Sequence, residues 1–292
     1  MNLLKSFDDF QYKHRAVGFS TAIIKHYSED RGGRSAALIT YYLFLSLFPL
    51  LFWLSLIANL LNTHFPGASS TLIHGATTYF PVLGKQLNIV AHNSNDTTGG
   101  IIVSGLVTLY GVRGTAMAFR EIVNDMFMVP QVEREGFPHN WLRGIGIVFI
   151  GGGGFVLSAI GYSWALARGH GTGFRILIGI AGVGLLTLVF LAVLKLALPA
   201  RNKAHKIINS AILMAIGFGL LQFAGSLIVT HSLKHYSDFY TAVFATTLGL
   251  LAWIYLETQV LLYSIEIAVV KERKLWPIRL IGARDTIHNK AG

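Results

Sequence analysis

The sequence predicts an all-α, polytopic membrane protein with six transmembrane helices and both termini in the cytoplasm. Three observations predict it. Ser35 to Gly84 runs fifty residues without an Asp, Glu, Lys or Arg, and its first half, Ala36 to Leu61, is almost wholly apolar. The chain is 53% hydrophobic and 13% charged, against about 25% charged residues in a typical soluble domain. Finally, similar charge-free runs recur down the chain, with Lys and Arg gathered on one side of them.

The 292 residues contain no long polar block, so no separate soluble catalytic domain is expected beside the membrane part. The expected organisation is a cytoplasmic or interfacial segment over 1–35, a six-helix transmembrane domain over 36–270 and a basic cytoplasmic tail over 271–292. The net charge of +10 reads as the basic flanks of membrane spans rather than as a nucleic-acid surface. With no cysteine, disulfides, thiolate catalysis and Cys-based metal sites are excluded together. The first 30 residues are mixed and polar and lack a cleavable apolar core, so no signal peptide is expected.

In chain order, Phe10, Val17, Phe19, Ile23, Ile24 and Tyr27 alternate with basic residues. That pattern suits a helix lying in the headgroup layer and equally an ordinary solvated helix. Asp30-Arg31-Gly32-Gly33-Arg34 breaks it. About 20 apolar residues cross a bilayer, and the spans are expected near 36–61, 99–121, 144–167, 175–198, 207–230 and 241–269. Between the first two, residues 62–98 form the longest loop, with Leu72, Ile73, Ala76, Tyr79 and Phe80 at helical spacing for a short interfacial helix. An even number of spans places both ends on one side, and Lys and Arg select it. Eighteen of them fall in the segments expected to be internal and four (Lys85, Arg168, Arg175, Lys234) in those expected outside, the bias that marks the cytoplasmic face.

Ionisable groups within lipid are the strongest functional pointers, since each costs about 2.5 to 3.5 kcal/mol to insert without a partner. Lys195 is about one turn from a helix end and can reach the headgroups with its aliphatic stem. Glu266 lies near an inner helix end beside Lys271 and Arg273. Arg113 and Glu257 are flanked by apolar residues on helices that run in the same direction. Their depths differ by under about 10 Å at 1.5 Å per residue, which permits either a salt bridge that fixes helix order or a polar patch lining a substrate path. Pro49 is expected to kink the first span, with Ser46 available to the freed carbonyls. The run Gly151 to Gly154, with Ser158 and Gly161, suits close helix packing.

No catalytic residue, cofactor site or metal site is expected. His231, His235 and Asp238 have loose metal-ligand spacing in what reads as a solvated polar loop. No Ser, His and Asp arrangement suggests acyl transfer.

Four patches carry a family resemblance. They are Asp30 followed by Ala36-Ala37-Leu38, Tyr41-Tyr42 and Ser46-Leu47-Phe48-Pro49-Leu50; Arg113-Gly114 with Val123-Asn124; Leu198-Pro199 before Arg201; and Leu250 to Leu256 followed by Leu261-Leu262-Tyr263-Ser264-Ile265-Glu266. In this order they resemble the YihY/BrkB family of bacterial inner-membrane proteins, formerly described as ribonuclease BN and now as envelope integrity proteins. The sequence departs from the family at Ser264-Ile265, where a Gly-Ala pair is usual, and at Glu257, where a small neutral residue is usual. The resemblance implies an envelope role in the inner membrane. A ribonuclease would need clustered metal ligands facing the cytoplasm, and Glu121, Asp125, Glu133, Glu135, His139 and His205 lack that spacing, so no enzymatic activity is expected.

The function expected is to move or accommodate lipid or another amphiphile in a groove near Arg113, Glu257, Glu266, Ser46 and Pro49, with Arg113 holding an anionic headgroup. The alternative is a non-transporting scaffold for another envelope protein. Membrane lipids are the expected partners, an envelope protein a possible one, and nucleic acid none; the sequence leaves the oligomeric state open.

Overall fold

The computed structural model describes residues 15–47, 98–134, 136, 138–166, 172–199, 204–232 and 239–276. Among these, every regular element is helical: α1 (Arg15–Glu29), α2 (32–47), α3 (Thr98–Met126), a 3-10 turn (Gln131–Glu133), α4 (His139–Leu166), α5 (Thr172–Ala197), α6 (Ala204–Ser232) and α7 (Phe239–Arg273). Pro49, the 62–97 loop with its expected short helix, His235, Asp238, Phe10 and the tail beyond Trp276 lie outside the described residues.

Each expected span after the first falls on one helix. Four stretches, Ile102–Met126, Gly179–Ala197, Ile207–Gly225 and Thr247–Arg273, are long and apolar enough to cross a bilayer, as a multi-pass membrane protein requires. The segment before the first span is helical, and the break expected at Asp30-Arg31 is present as a turn, with Arg31 in the left-handed region at φ 54°. Gly32 follows because a side chain there would strike the Tyr27 ring. Rather than lying apart from the bundle, α1 packs on α7 through a buried stripe of Gly18, Ala22, His26 and Tyr27.

Successive helices α4, α5, α6 and α7 pack pairwise, and α3 packs on α4, α5 and α7. Small residues set the closest crossings. A Cβ on Gly111 would lie 2.7 Å from the Ser46 Cβ and 3.0 Å from the Ser46 nitrogen and the Tyr42 carbonyl oxygen, so α2 meets α3 almost backbone to backbone. Gly217 of α6 takes Val260 and Ser264 of α7. The small residue that close packing at Ser264-Ile265 requires is thus supplied by the neighbouring helix. Of the run Gly151 to Gly154, Gly154 alone is tightly met, by Val189, while Gly152 and Gly153 have nothing within 4 Å.

Most of the largest fully buried apolar side chains, Val123, Met126, Leu194, Leu198, Met214, Leu262 and Ile265, lie on the helix halves toward the end where α3, α5 and α7 stop and α4 and α6 begin, with Leu250 and Ile254 further back along α7. Arg120, Arg134, Arg143 and Arg273 cluster at that end too, and we call it the basic end. Toward the opposite end, Ile102, Val103, Leu106, Leu177 and Ile180 are exposed, as apolar side chains facing lipid would be.

Candidate functional site at the basic end of the bundle

Helix ends leave carbonyl groups without intrahelical partners, and at the basic end side chains from other helices satisfy several of them. The α3 terminus closes on itself: Met128 takes φ 52°, and the Met128 and Val129 amides donate to the Asp125 and Asn124 carbonyls, the pairing of a Schellman cap. Its Phe127 carbonyl accepts from Arg273 of α7. Buried Asn124 donates its side-chain amide to Arg120 O at 2.7 Å and to Ala197 O, at the end of α5, at 3.1 Å. Arg143 of α4 donates to Leu198 O at 2.9 Å. Val123-Asn124 and Leu198-Pro199, far apart in sequence, therefore form one knot. Arg120 completes it by donating to the Asn140 carbonyl at 2.9 Å and to the Asn140 side chain.

Two turns above Arg120 on the same helix, Arg113 is exposed. It lines an open groove of about 380 Å³ with Met117, Asn140 and Trp141. The first turn of α4 sets the level of this groove. Seven residues of helix from Arg120 to Arg113 rise about 10 Å, so Arg113 lies in the apolar part of α3, and the half-exposed Trp141 indole marks the kind of level where Trp borders headgroups. Among the described residues, no carboxylate is within ion-pair distance of Arg113.

Glu257 is elsewhere. It is 7% exposed, and its Oε1 accepts from Trp253 Nε1 at 2.7 Å and from Gln222 Nε2 of α6 at 2.9 Å. No ion pair joins Arg113 and Glu257. The Glu257 carboxyl instead ties α6 to α7 at the level where the Trp253 ring lies against Gly225.

Glu266, one end of the last patch, is 1% exposed, and its Oε2 has no hydrogen-bond partner. Beside it the Tyr27 and Tyr263 rings stack at 3.8 Å with 17° between their planes. Tyr27 donates its hydroxyl hydrogen to Gln259, which in turn donates to the Tyr255 hydroxyl oxygen. Burial, helped by the Asp125 and Glu29 charges, pushes the Asp30 carboxyl up to about 6. Burial also raises the Tyr27 phenol, with Tyr263, Tyr255 and Glu266 adding to it. It lowers His26 against the opposing pull of Glu29.

Ser46 is buried and donates to the Leu43 carbonyl at 2.9 Å, one turn back along its own helix. Lys195 is exposed near the end of α5. The described residues contain no group of three or more His, Asp or Glu placed to hold a metal. Asn140, Trp141 and Gln222 escaped the sequence reading, and Trp253, part of the last patch, was not read as a partner of Glu257. A Trp opening a span after a basic loop was a usable signal for Trp141, whereas nothing in spacing marks Gln222 as the partner of Glu257.

No curated protein and no solved structure matches this chain. A family model does: virulence factor BrkB, over residues 23–279. That stretch takes in all four patches, from Asp30 at the α1–α2 turn to Glu266 near the end of α7. This chain belongs to the BrkB family of membrane proteins.

Proposed function

We propose that this protein spans the bacterial inner membrane six times with both termini in the cytoplasm, and that it binds anionic lipid headgroups at Arg113 in order to move or accommodate lipid in the envelope. The observation that carries this reading is a guanidinium on an apolar helix, exposed, without a carboxylate partner among the described residues, in a groove floored by Asn140 and Trp141. An unpaired cation at that depth is costly, and a lipid phosphate would satisfy it with charge-assisted, bidentate hydrogen bonds. The Trp141 indole and Asn140 amide add donors of the right chemistry. The bias of eighteen basic residues to four supports the orientation, and a cytoplasmic face of that charge attracts anionic lipid.

Glu257 and Glu266 do not line this groove, so we assign them to holding helices rather than to contacting lipid. The test is lipid retention by the purified full-length protein in nanodiscs containing phosphatidylglycerol or phosphatidylcholine. The wild type should enrich the anionic lipid, and Arg113→Ala should lose that enrichment while keeping its abundance and melting temperature. Equal enrichment in both proteins rejects the groove and leaves the scaffold reading, which cross-linking from residues 62–98 to a partner would then support.

A further inference from the structure

We infer that the Arg113 groove selects lipids whose headgroup ends in a phosphate monoester, phosphatidate being the simplest, and that Arg120 sets this preference by turning the Asn140 amide. The inference rests on the groove reading above and adds the headgroup class to it. Arg120 is buried, and its Nη1 donates to the Asn140 backbone carbonyl at 2.9 Å and to the Asn140 side-chain oxygen. A guanidinium has donors and no acceptor, so the Asn140 atom that meets it is the carboxamide oxygen, and Nδ2 is on the other side of the amide. No acceptor among the described residues takes the Nδ2 hydrogens.

Asn140 lines the groove with Arg113, Met117 and Trp141, and these side chains present donors to it. Arg113 offers its guanidinium N–H groups, Asn140 its amide N–H groups and Trp141 its indole N–H. The side-chain acceptor not already facing Arg120 is the Met117 thioether sulfur, a weak one. A donor lining beside a fixed positive charge sorts headgroups by what they carry beyond the phosphate. An ethanolamine ammonium brings donors that find no acceptor, and Arg113 repels it. A glycerol headgroup brings hydroxyls that can accept, but its phosphate is a diester with a single charge. A monoester ends in three acceptor oxygens carrying about −1.5 to −2 charge at pH 7, and it meets all three donor residues with acceptors.

The surroundings favour a phosphate carried on a lipid over one in solution. Tyr110, Leu106 and Val103 are exposed, and they precede Arg113 by about one, two and three turns, hence on its own face of α3. Tyr42 of α2 borders this face. Its ring lies over Gly114, where a Cβ would strike it, and meets the Tyr110 ring edge to face at 6.1 Å. An apolar stripe that leads away from the cation suits acyl chains, and a dissolved phosphate gains nothing from it. Arg120 does not touch the lipid in this arrangement. It acts as a positioning residue, through the amide that it turns.

The experiment is lipid competition on the full-length protein in nanodiscs holding equal amounts of phosphatidate, phosphatidylglycerol and phosphatidylethanolamine in phosphatidylcholine, with the retained lipid identified by mass spectrometry. The wild type should retain phosphatidate about tenfold over phosphatidylglycerol, the effect of one charge-assisted hydrogen bond, and phosphatidylethanolamine least. Asn140→Asp keeps the shape and the acceptor for Arg120 but turns a carboxylate oxygen to the groove. At unchanged melting temperature its phosphatidate preference should fall to parity, and phosphatidylethanolamine should rise. Arg120→Gln, which can donate or accept, should narrow the preference, and the donor-only Arg120→Lys should restore it. Should the Arg120 variants fail to fold, Asn140→Asp decides. Glycerol 3-phosphate in large excess should leave the phosphatidate in place, and displacement overturns the assignment to lipid. Equal retention of the two anionic lipids by the wild type, or an Asn140→Asp protein with the wild-type ranking, overturns the inference while Arg113→Ala still tests the groove. A wild type that retains neither anionic lipid over phosphatidylcholine rejects both.

Discussion

Asn124 of α3 donates its side-chain amide to the Ala197 carbonyl at the end of α5, 3.1 Å away. The same amide reaches back to Arg120, so one buried side chain fixes where two helices stop relative to each other. Replacing Asn124 by Ala strands the Ala197 carbonyl, and a buried acceptor left unsatisfied costs about 1–3 kcal/mol. The melting temperature of the detergent-purified protein should fall accordingly. Asn124→Asp should fall at least as far, because a carboxylate has no hydrogen to give.

The α2–α3 crossing offers a contrast between glycines. Gly111→Ala places a methyl 3.0 Å from the Ser46 nitrogen and 2.7 Å from its Cβ, and a backbone contact cannot yield as a flexible side chain can. We expect a loss of about 1–3 kcal/mol and lower membrane abundance. Gly152→Ala, which meets open space, should leave both unchanged. Thermal melts of the two variants side by side check this.

Glu257 joins α6 to α7 by accepting from two neutral donors. Gln at this position keeps an acceptor oxygen for Trp253 and Gln222, so Glu257→Gln should melt close to the wild type. Glu257→Leu leaves two buried donors unmade and should lose about 2 kcal/mol or more. Anionic-lipid enrichment should persist in Glu257→Gln, since this carboxyl lies away from Arg113. If enrichment disappears in that variant at normal abundance, Glu257 belongs to the lipid path after all.

Helix positions were legible in the sequence, and helix faces were not. Charge-free runs located α3 to α7 to within a few residues because lipid excludes charge regardless of what a helix touches. Lipid-facing and protein-facing positions, however, are both apolar. On α5, Leu186 is 7% exposed and Leu188 is 63% exposed, yet nothing in their identity separates them, since lipid tails are as apolar as Leu. The site was readable in the same uneven way. Arg113, Glu257 and Glu266 stood out as charges in apolar runs, but their partners come from helices far away in sequence, and the depth match between Arg113 and Glu257 permitted a pair that hydrogen bonding to Trp253 and Gln222 replaces. The four family patches gave no hint of why they go together. Packing supplies part of the reason: Asn124 meets the Ala197-Leu198 turn.

The central claim is that Arg113 holds the headgroup of an anionic lipid, and a density map of the protein in phosphatidylglycerol nanodiscs tests it most directly. The account predicts phosphate density within hydrogen-bond distance of the Arg113 guanidinium, bordered by Asn140 and Trp141, with acyl density running along α3. A groove closed by protein side chains, or an Arg113 paired with a carboxylate of this chain or a partner, would contradict it.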